Sequence, residues 1–244
     1  GQDGAIEHYG ADDSFPITDI DDILPGIIEG HEKLYCTMGI DPAFDKQVMG
    51  WINHIREQGR SGSVPPQEIV ALDHVLNEMR LFKSVAEKKL MQRAADISAL
   101  AHVEAMRKCR PEMYEYEIEA EFLKVFRQHN AEPAYPSIVA GGANACVLHY
   151  ISNQDHLRDG DLLLIDAGAE YQFYAGDISR TFPVNGKFSP EQRAVYDIVL
   201  AAQMAAIDAV RIDNHWDKPH QEVVKIITQG LVDLGILTGN VSSL

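Results

Sequence analysis

Asp166 and Asp177 are two carboxylates whose type and spacing could bind a metal ion. Each lies in a β-rich run, and a polar reversal near 170–172 separates the two runs. If the reversal is tight, the aspartates lie directly opposite one another in an antiparallel pair, on one face and roughly 5 Å apart. Two like charges there repel one another unless a cation lies between them. The pattern therefore predicts a carboxylate-bridged metal site.

A purely structural interpretation of the same residues is also open. Aspartates near strand ends often only cap turns, because the side chain accepts hydrogen bonds from nearby backbone amides. A lone histidine such as His149, on a strand-like segment, is more often a hydrogen-bonded structural residue than a catalytic one. Ser179 and Thr181 share the parity of Asp177, so their hydroxyls should face the same way and could hold its carboxylate.

Helices and strands that would position these residues can be read from the pattern. Ser84 and Glu87 form a capping box that should begin a helix ending near Lys108. The remaining expected elements are helices at 18–29, 42–57, 115–129 and 219–234, a strand at 33–36, a linker at 59–66, a β-rich region at 137–184 and a helix opening at 189–192.

Composition excludes some classes of partner. The chain has 244 residues and a net charge of −16, which disfavours nucleic acid and anionic membrane surfaces. No apolar run approaches the length of a membrane span, so no membrane partner is expected. Three cysteines without a Cys-x-x-Cys pair favour a reducing, cytoplasmic location over a disulfide framework.

Longer motifs around the aspartates resemble those of the bacterial Xaa-Pro aminopeptidases, which are pita-bread metallopeptidases. The resemblance lies in Asp159–Tyr171 (DGDLLLIDAGAEY) and Tyr174–Lys187 (YAGDISRTFPVNGK), and 78–84 and 144–150 strengthen it. It implies an α+β fold in which 64–244 form the first half of a pita-bread catalytic domain. Residues 1–63 would be the rear part of an α/β N-terminal domain.

The same resemblance implies residue roles. Asp166 would chelate one of two divalent ions, typically Mn²⁺, and Asp177 would bridge both. His149 would lie beside the scissile bond as the catalytic histidine, and Tyr135 would lie near the metal site. Substrates would be peptides with proline at the second position, and the full-length protein would be a homo-oligomer.

Members of this family use five metal ligands, and the later histidine and two glutamates have no counterpart motif in this sequence. We therefore expect a chain truncated at both ends that is inactive alone. Alternatives are a prolidase acting on Xaa-Pro dipeptides, a non-catalytic pita-bread module that binds peptides, and an incomplete product without function. Retention of both aspartates argues against the non-catalytic module.

Overall fold

The computed structural model describes residues 1–239, and the chain divides into two compact units, with the boundary in the sequence between Ser84 and Val85. The end of the expected second domain, 240–244, lies outside the described residues. None of the helices in 1–239 is both long and apolar enough to cross a lipid bilayer.

The first unit is a small α/β arrangement. A parallel pair of strands runs from Lys33↔Glu68 to Cys36↔Ala71. Its elements are α1 (Gln2–Tyr9), α2 (Ile20–Ile28), β1 (Lys33–Cys36), α3 (Pro42–Glu57), β2 (Glu68–Ala71) and α4 (Leu72–Leu81). The expected strand and both expected helices of this region are present, with α3 and β1 at the expected bounds.

The boundary between the units lies later than the linker at 59–66 predicts. The strand β2 follows that linker, yet it pairs with β1, so its hydrogen bonds assign it to the first unit. Residues 64–84 therefore belong with the N-terminal unit, and not with the catalytic half as expected.

The second unit contains a helix pair, an antiparallel sheet and a second helix pair. Its elements are α5 (Val85–Lys108), α6 (Glu115–Gln128), β3 (Glu132–Pro133), β4 (Ile138–Gly141), β5 (Leu162–Tyr171), β6 (Tyr174–Pro183), α7 (Pro190–Ala209) and α8 (Lys218–Asp233). The bounds of α5, α6 and α8 lie within one residue of the expected ones, and α7 begins where a helix was expected to open. Ser189 and Gln192 form the capping box that starts α7.

Strand β5 is the centre of the sheet, because it pairs with β6 along its whole length and with β4 and β3 on its other side. One face of β5 is fully buried in a core built with α5 and α6. Gly176 of β6 lies so close to α5 that a Cβ there would be 2.6 Å from the Ala94 carbonyl. One face of the β5–β6 hairpin thus packs closely against α5, and the opposite face of the hairpin does not contact this helix.

His102 of α5 lies in this core and gives the fold a pH dependence. Burial lowers the pKa of the ring below its ordinary value of 6.5 and outweighs the contact of Nδ1 with the Ser98 carbonyl, 2.9 Å away. The charge of Arg180 acts in the same direction as burial. The neutral ring therefore contributes stability in full above pH 6.5, and this contribution falls as the pH drops toward the lowered value.

We predict that His102→Gln loses less free energy of unfolding than the wild type does between pH 8 and pH 5. Urea denaturation at both pH values measures the difference. His129→Gln is the matched control, since His129 makes the same kind of main-chain contact from a half-buried position. An equal pH dependence in the wild type and His102→Gln would show that the buried ring does not control acid stability.

Candidate metal centre

The two aspartates share one face of the β5–β6 hairpin, but the register differs from the expected one. Asp177 lies opposite Gly168, and Asp166 lies opposite Ser179. The chain reverses at Gln172 and Phe173, later than the predicted 170–172, which shifts the ladder by two residues. An even shift keeps each side chain on its face, so the aspartates are diagonal neighbours rather than a directly opposed pair.

This face is open to solvent in the described residues. Alternate residues of β5 point into the core, whereas Asp166 is half-buried and Asp177 is exposed on the opposite face. Gly168 contributes no side chain beside Asp177, and a Cβ there would lie 2.9 Å from the Gly176 carbonyl oxygen. The glycine thus leaves room for a ligand of the carboxylates as well as for the neighbouring backbone.

Tyr135 joins the two carboxylates. Its hydroxyl lies 2.7 Å from Oδ1 of Asp166 and 2.7 Å from Oδ1 of Asp177. Two oxygens that each lie this close to one hydroxyl can be no more than twice that distance apart. A hydroxyl has one proton and can donate to only one of them at a time. At any moment, therefore, one of the two carboxylate oxygens lies close to the hydroxyl oxygen without accepting its proton. A cation bound to the carboxylates would offset the resulting repulsion.

The backbone explains why Tyr135 reaches this point. It lies just before β4, whose first residue, Ile138, pairs with Asp166 on the side of β5 away from β6. The Ala134 amide donates to the Gly168 carbonyl at 2.9 Å and fixes the approach. Burial, and then the two carboxylates, raise the pKa of the Tyr135 hydroxyl well above its ordinary value, so it remains a donor.

Ser179 and Thr181 lie on the predicted face, opposite Asp166 and Leu164. Within residues 1–239, no hydrogen bond joins either hydroxyl to an aspartate. Their expected contact with the Asp177 carboxylate is therefore not made, and the Tyr135 hydroxyl contacts that carboxylate instead.

His149 lies on a turn and not on the strand-like segment that its neighbours suggest. Its backbone has φ of 55°, and its side chain is exposed. That left-handed conformation is uncommon for a residue with a Cβ. Among the described contacts, none links the imidazole to Asp166 or Asp177.

The donor set is of the chemical type that a hard divalent ion prefers. Carboxylate oxygens and a hydroxyl suit ions such as Mg²⁺ or Mn²⁺. No group of three or more metal-ligating His, Cys, Asp or Glu side chains occurs in the part of the chain that the structure describes. Two carboxylates alone would hold an ion weakly.

Gly168, Glu115 and Asn153 are structurally important residues that the sequence did not single out. Glu115 and Asn153 are buried polar residues beside the His149 turn. Nothing in the local pattern marks them, since an acidic residue in the first turn of a helix and an asparagine in a loop are both common. Gly168 follows Ala167 in a run that reads as ordinary strand.

Comparisons with known proteins identify relatives along the whole chain. The family model described as metallopeptidase family M24 matches residues 89–241. Curated Xaa-Pro aminopeptidases of Haemophilus influenzae and Escherichia coli are 45% and 43% identical over 100% of this chain. The chain covers 54% and 56% of their lengths, so it spans about half of each of these relatives.

Solved structures give the same result. The Pseudomonas aeruginosa aminopeptidase PepP is 56% identical, with a TM-score of 0.94 over 100% of this chain and 55% of that one. A zinc-substituted Escherichia coli aminopeptidase P in complex with product is 43% identical, with a TM-score of 0.94 and 56% of that chain covered. These neighbours have the pita-bread fold, of which this chain contains a part.

The left-handed backbone at residue 149 gives a test of local strain. We predict that His149→Val lowers the free energy of unfolding by about 1 to 3 kcal/mol, because a β-branched residue adopts this conformation only with strain. His149→Asn, which adopts positive φ about as readily as histidine does, should leave stability unchanged. Urea denaturation compares the two variants, and equal stabilities would contradict strain at this residue.

Proposed function

Because this chain belongs to metallopeptidase family M24, we propose that it carries part of the active site of an Xaa-Pro aminopeptidase. The reaction is hydrolysis of the bond between an N-terminal residue and a following proline. One observation carries the proposal: the oxygens of Asp166, Asp177 and Tyr135 converge on the open face of the hairpin. The curated relatives named Xaa-Pro aminopeptidase support the substrate class.

The proposed cofactor is a pair of divalent ions, assigned as Mn²⁺ because the donors are oxygens and because the resembled family typically uses this ion. When bound, such ions would supply a water molecule of lowered pKa and would stabilise the charge that develops during hydrolysis. Asp166 would hold one ion, and Asp177 would reach both. Tyr135 would orient the two carboxylates through its hydroxyl, in the way that residues behind metal ligands fix their direction.

His149 would act at the peptide. An imidazole can donate or accept a proton near neutral pH, and this one is exposed on a turn where a substrate could reach it. Proline at the second position makes the scissile bond a tertiary amide without an N–H. Recognition of that residue must therefore rest on the shape of a pocket and on contacts with the carbonyl groups.

We propose that the 244 residues contain only part of the ligand set and that a histidine and two glutamates outside them complete it. This follows from the family resemblance and from the described residues, which offer no third ligand beside the aspartates. The chain alone is then an inefficient peptidase. The proposal for the whole protein extends to a cytoplasmic location and a homo-oligomer, supported by three free cysteines and by the resemblance, respectively.

Titration with Mn²⁺ in a calorimeter tests the assigned ligands. We expect one measurable Mn²⁺ site in the wild-type chain, weaker than micromolar affinity, and no measurable binding by Asp166→Asn or Asp177→Asn. Tyr135→Phe should weaken binding by about tenfold, the lower range for residues that orient metal ligands. Asp197→Asn is the control, because Asp197 pairs with Arg193 on the surface of α7.

Two results would contradict the proposal in different ways. Unchanged binding in both aspartate variants would remove Asp166 and Asp177 from the metal site. Hydrolysis of an Xaa-Pro peptide by the wild-type chain with Mn²⁺ would instead show that these residues suffice, and that the missing ligands are not needed or come from another copy.

A further inference from the structure

Glu115 is an acidic residue with no exposed surface. It is the first residue of α6, and its relative exposure is 0%. No ion pair within residues 1–239 involves it. A buried carboxylate without a cation is costly unless hydrogen bonds replace the water that it loses.

Four donors satisfy this carboxylate, one from the last residue of β4 and three from the loop that follows it. Oε1 accepts from the Gly141 amide at 2.8 Å and from Nδ2 of Asn144 at 3.0 Å. Oε2 accepts from the Tyr150 hydroxyl at 2.7 Å and from the Asp155 amide at 3.0 Å. Burial and then the Glu115 carboxylate raise the pKa of Tyr150 to about 12, so this hydroxyl keeps the proton that it donates.

The donors lie on both sides of His149. Gly141 and Asn144 precede it, and Tyr150 and Asp155 follow it, so one carboxylate closes the whole loop. The Asn144 amide adds contacts with Oδ2 of Asp155 at 2.8 Å and with the Tyr150 hydroxyl at 3.0 Å. Those contacts join the two halves of the loop directly.

A second buried residue fixes the end of the loop against the sheet. Asn153 accepts from the Val139 amide at 3.0 Å and donates to the Ser137 carbonyl at 2.9 Å. It thus occupies the hydrogen-bonding edge of β4 in place of a neighbouring strand. Between these two anchors, His149 keeps a left-handed backbone that an unrestrained loop would not favour.

From this arrangement we infer that Glu115 is a positioning residue, whose carboxylate holds the 142–156 loop and so sets the location of His149. The inference rests on the proposed function for the role of His149 in the reaction, but not for the anchoring itself. In the described contacts, Glu115 touches neither Tyr135 nor the metal-site aspartates, Asp166 and Asp177. It acts on the chemistry only through the loop.

Hydrogen exchange of the 244-residue chain, measured by mass spectrometry, tests the anchoring. In Glu115→Gln the side-chain NH2 group faces either the Gly141 N–H or the Asp155 N–H, so a donor meets a donor in both orientations. We expect exchange of amides 142–156 to rise by about tenfold or more, the factor that corresponds to 1.4 kcal/mol. The His149 ring resonance, assigned by its absence in His149→Gln, should shift in the same variant.

Val125→Ala is the matched control for general loss of stability, because Val125 is buried on the same helix but makes none of these hydrogen bonds. It should raise exchange throughout the unit without a selective effect on 142–156 and without moving the His149 resonance. Tyr150→Phe removes one of the four donors and should give a smaller, selective rise. This variant carries the test if Glu115→Gln does not fold.

Selective exchange of the loop with a moved His149 resonance supports the inference. The inference is overturned if exchange of amides 142–156 rises no more in Glu115→Gln than in Val125→Ala at equal loss of stability. It is also overturned if the His149 resonance does not move. Both readouts use the metal-free chain and need no peptidase activity. Failure of the manganese titration would therefore remove the proposed function while leaving the anchoring result intact.

Discussion

The register of the β5–β6 ladder determines what every other part of the second unit can do. Ten consecutive pairs, from Leu162↔Pro183 to Tyr171↔Tyr174, assign one set of side chains to the core and the other to the open face. A slip of one residue would exchange the two sets and bury both aspartates against α5. The core residues Leu163, Ile165, Ala167 and Ala169 prevent it, because each would then be exposed. Hydrophobic burial thus sets the geometry of the carboxylates.

Close packing at two glycines makes this arrangement possible. Gly176 allows β6 to approach the backbone of α5. Gly168 lies opposite Asp177 and has no side chain, so the space beside the Asp177 carboxylate stays free. The pairing of β4 with β5 places Tyr135, which lies just before β4, near Asp166. Its hydroxyl is the third oxygen of the site, beside the two carboxylates. Main-chain pairing between the strands and packing against α5 therefore bring Asp166, Asp177 and Tyr135 together.

Local signals made much of the fold predictable from the sequence. The sequence predicts one helix start from the capping box of Ser84 and Glu87 and another from proline at the first helical position after Ser189. The face shared by the two aspartates follows from strand parity, which does not change when the register is wrong by two residues. The error itself arose because the turn is Gln172-Phe173, which lacks the glycine or asparagine that marks such turns. The turn at His149 and the burial of Glu115 depend on contacts between distant segments, which no local pattern encodes.

That unmarked turn has a consequence for protein engineering. Gln172 and Phe173 both have positive φ, 51° and 68°, and Phe173 is 92% exposed, so the tip combines backbone strain with an apolar surface. An Asn-Gly pair adopts the same two-residue conformation with little strain and would preserve the pairing register. The hairpin tip is therefore a place where thermostability and solubility can be improved together, at the end of the ladder beyond both carboxylates.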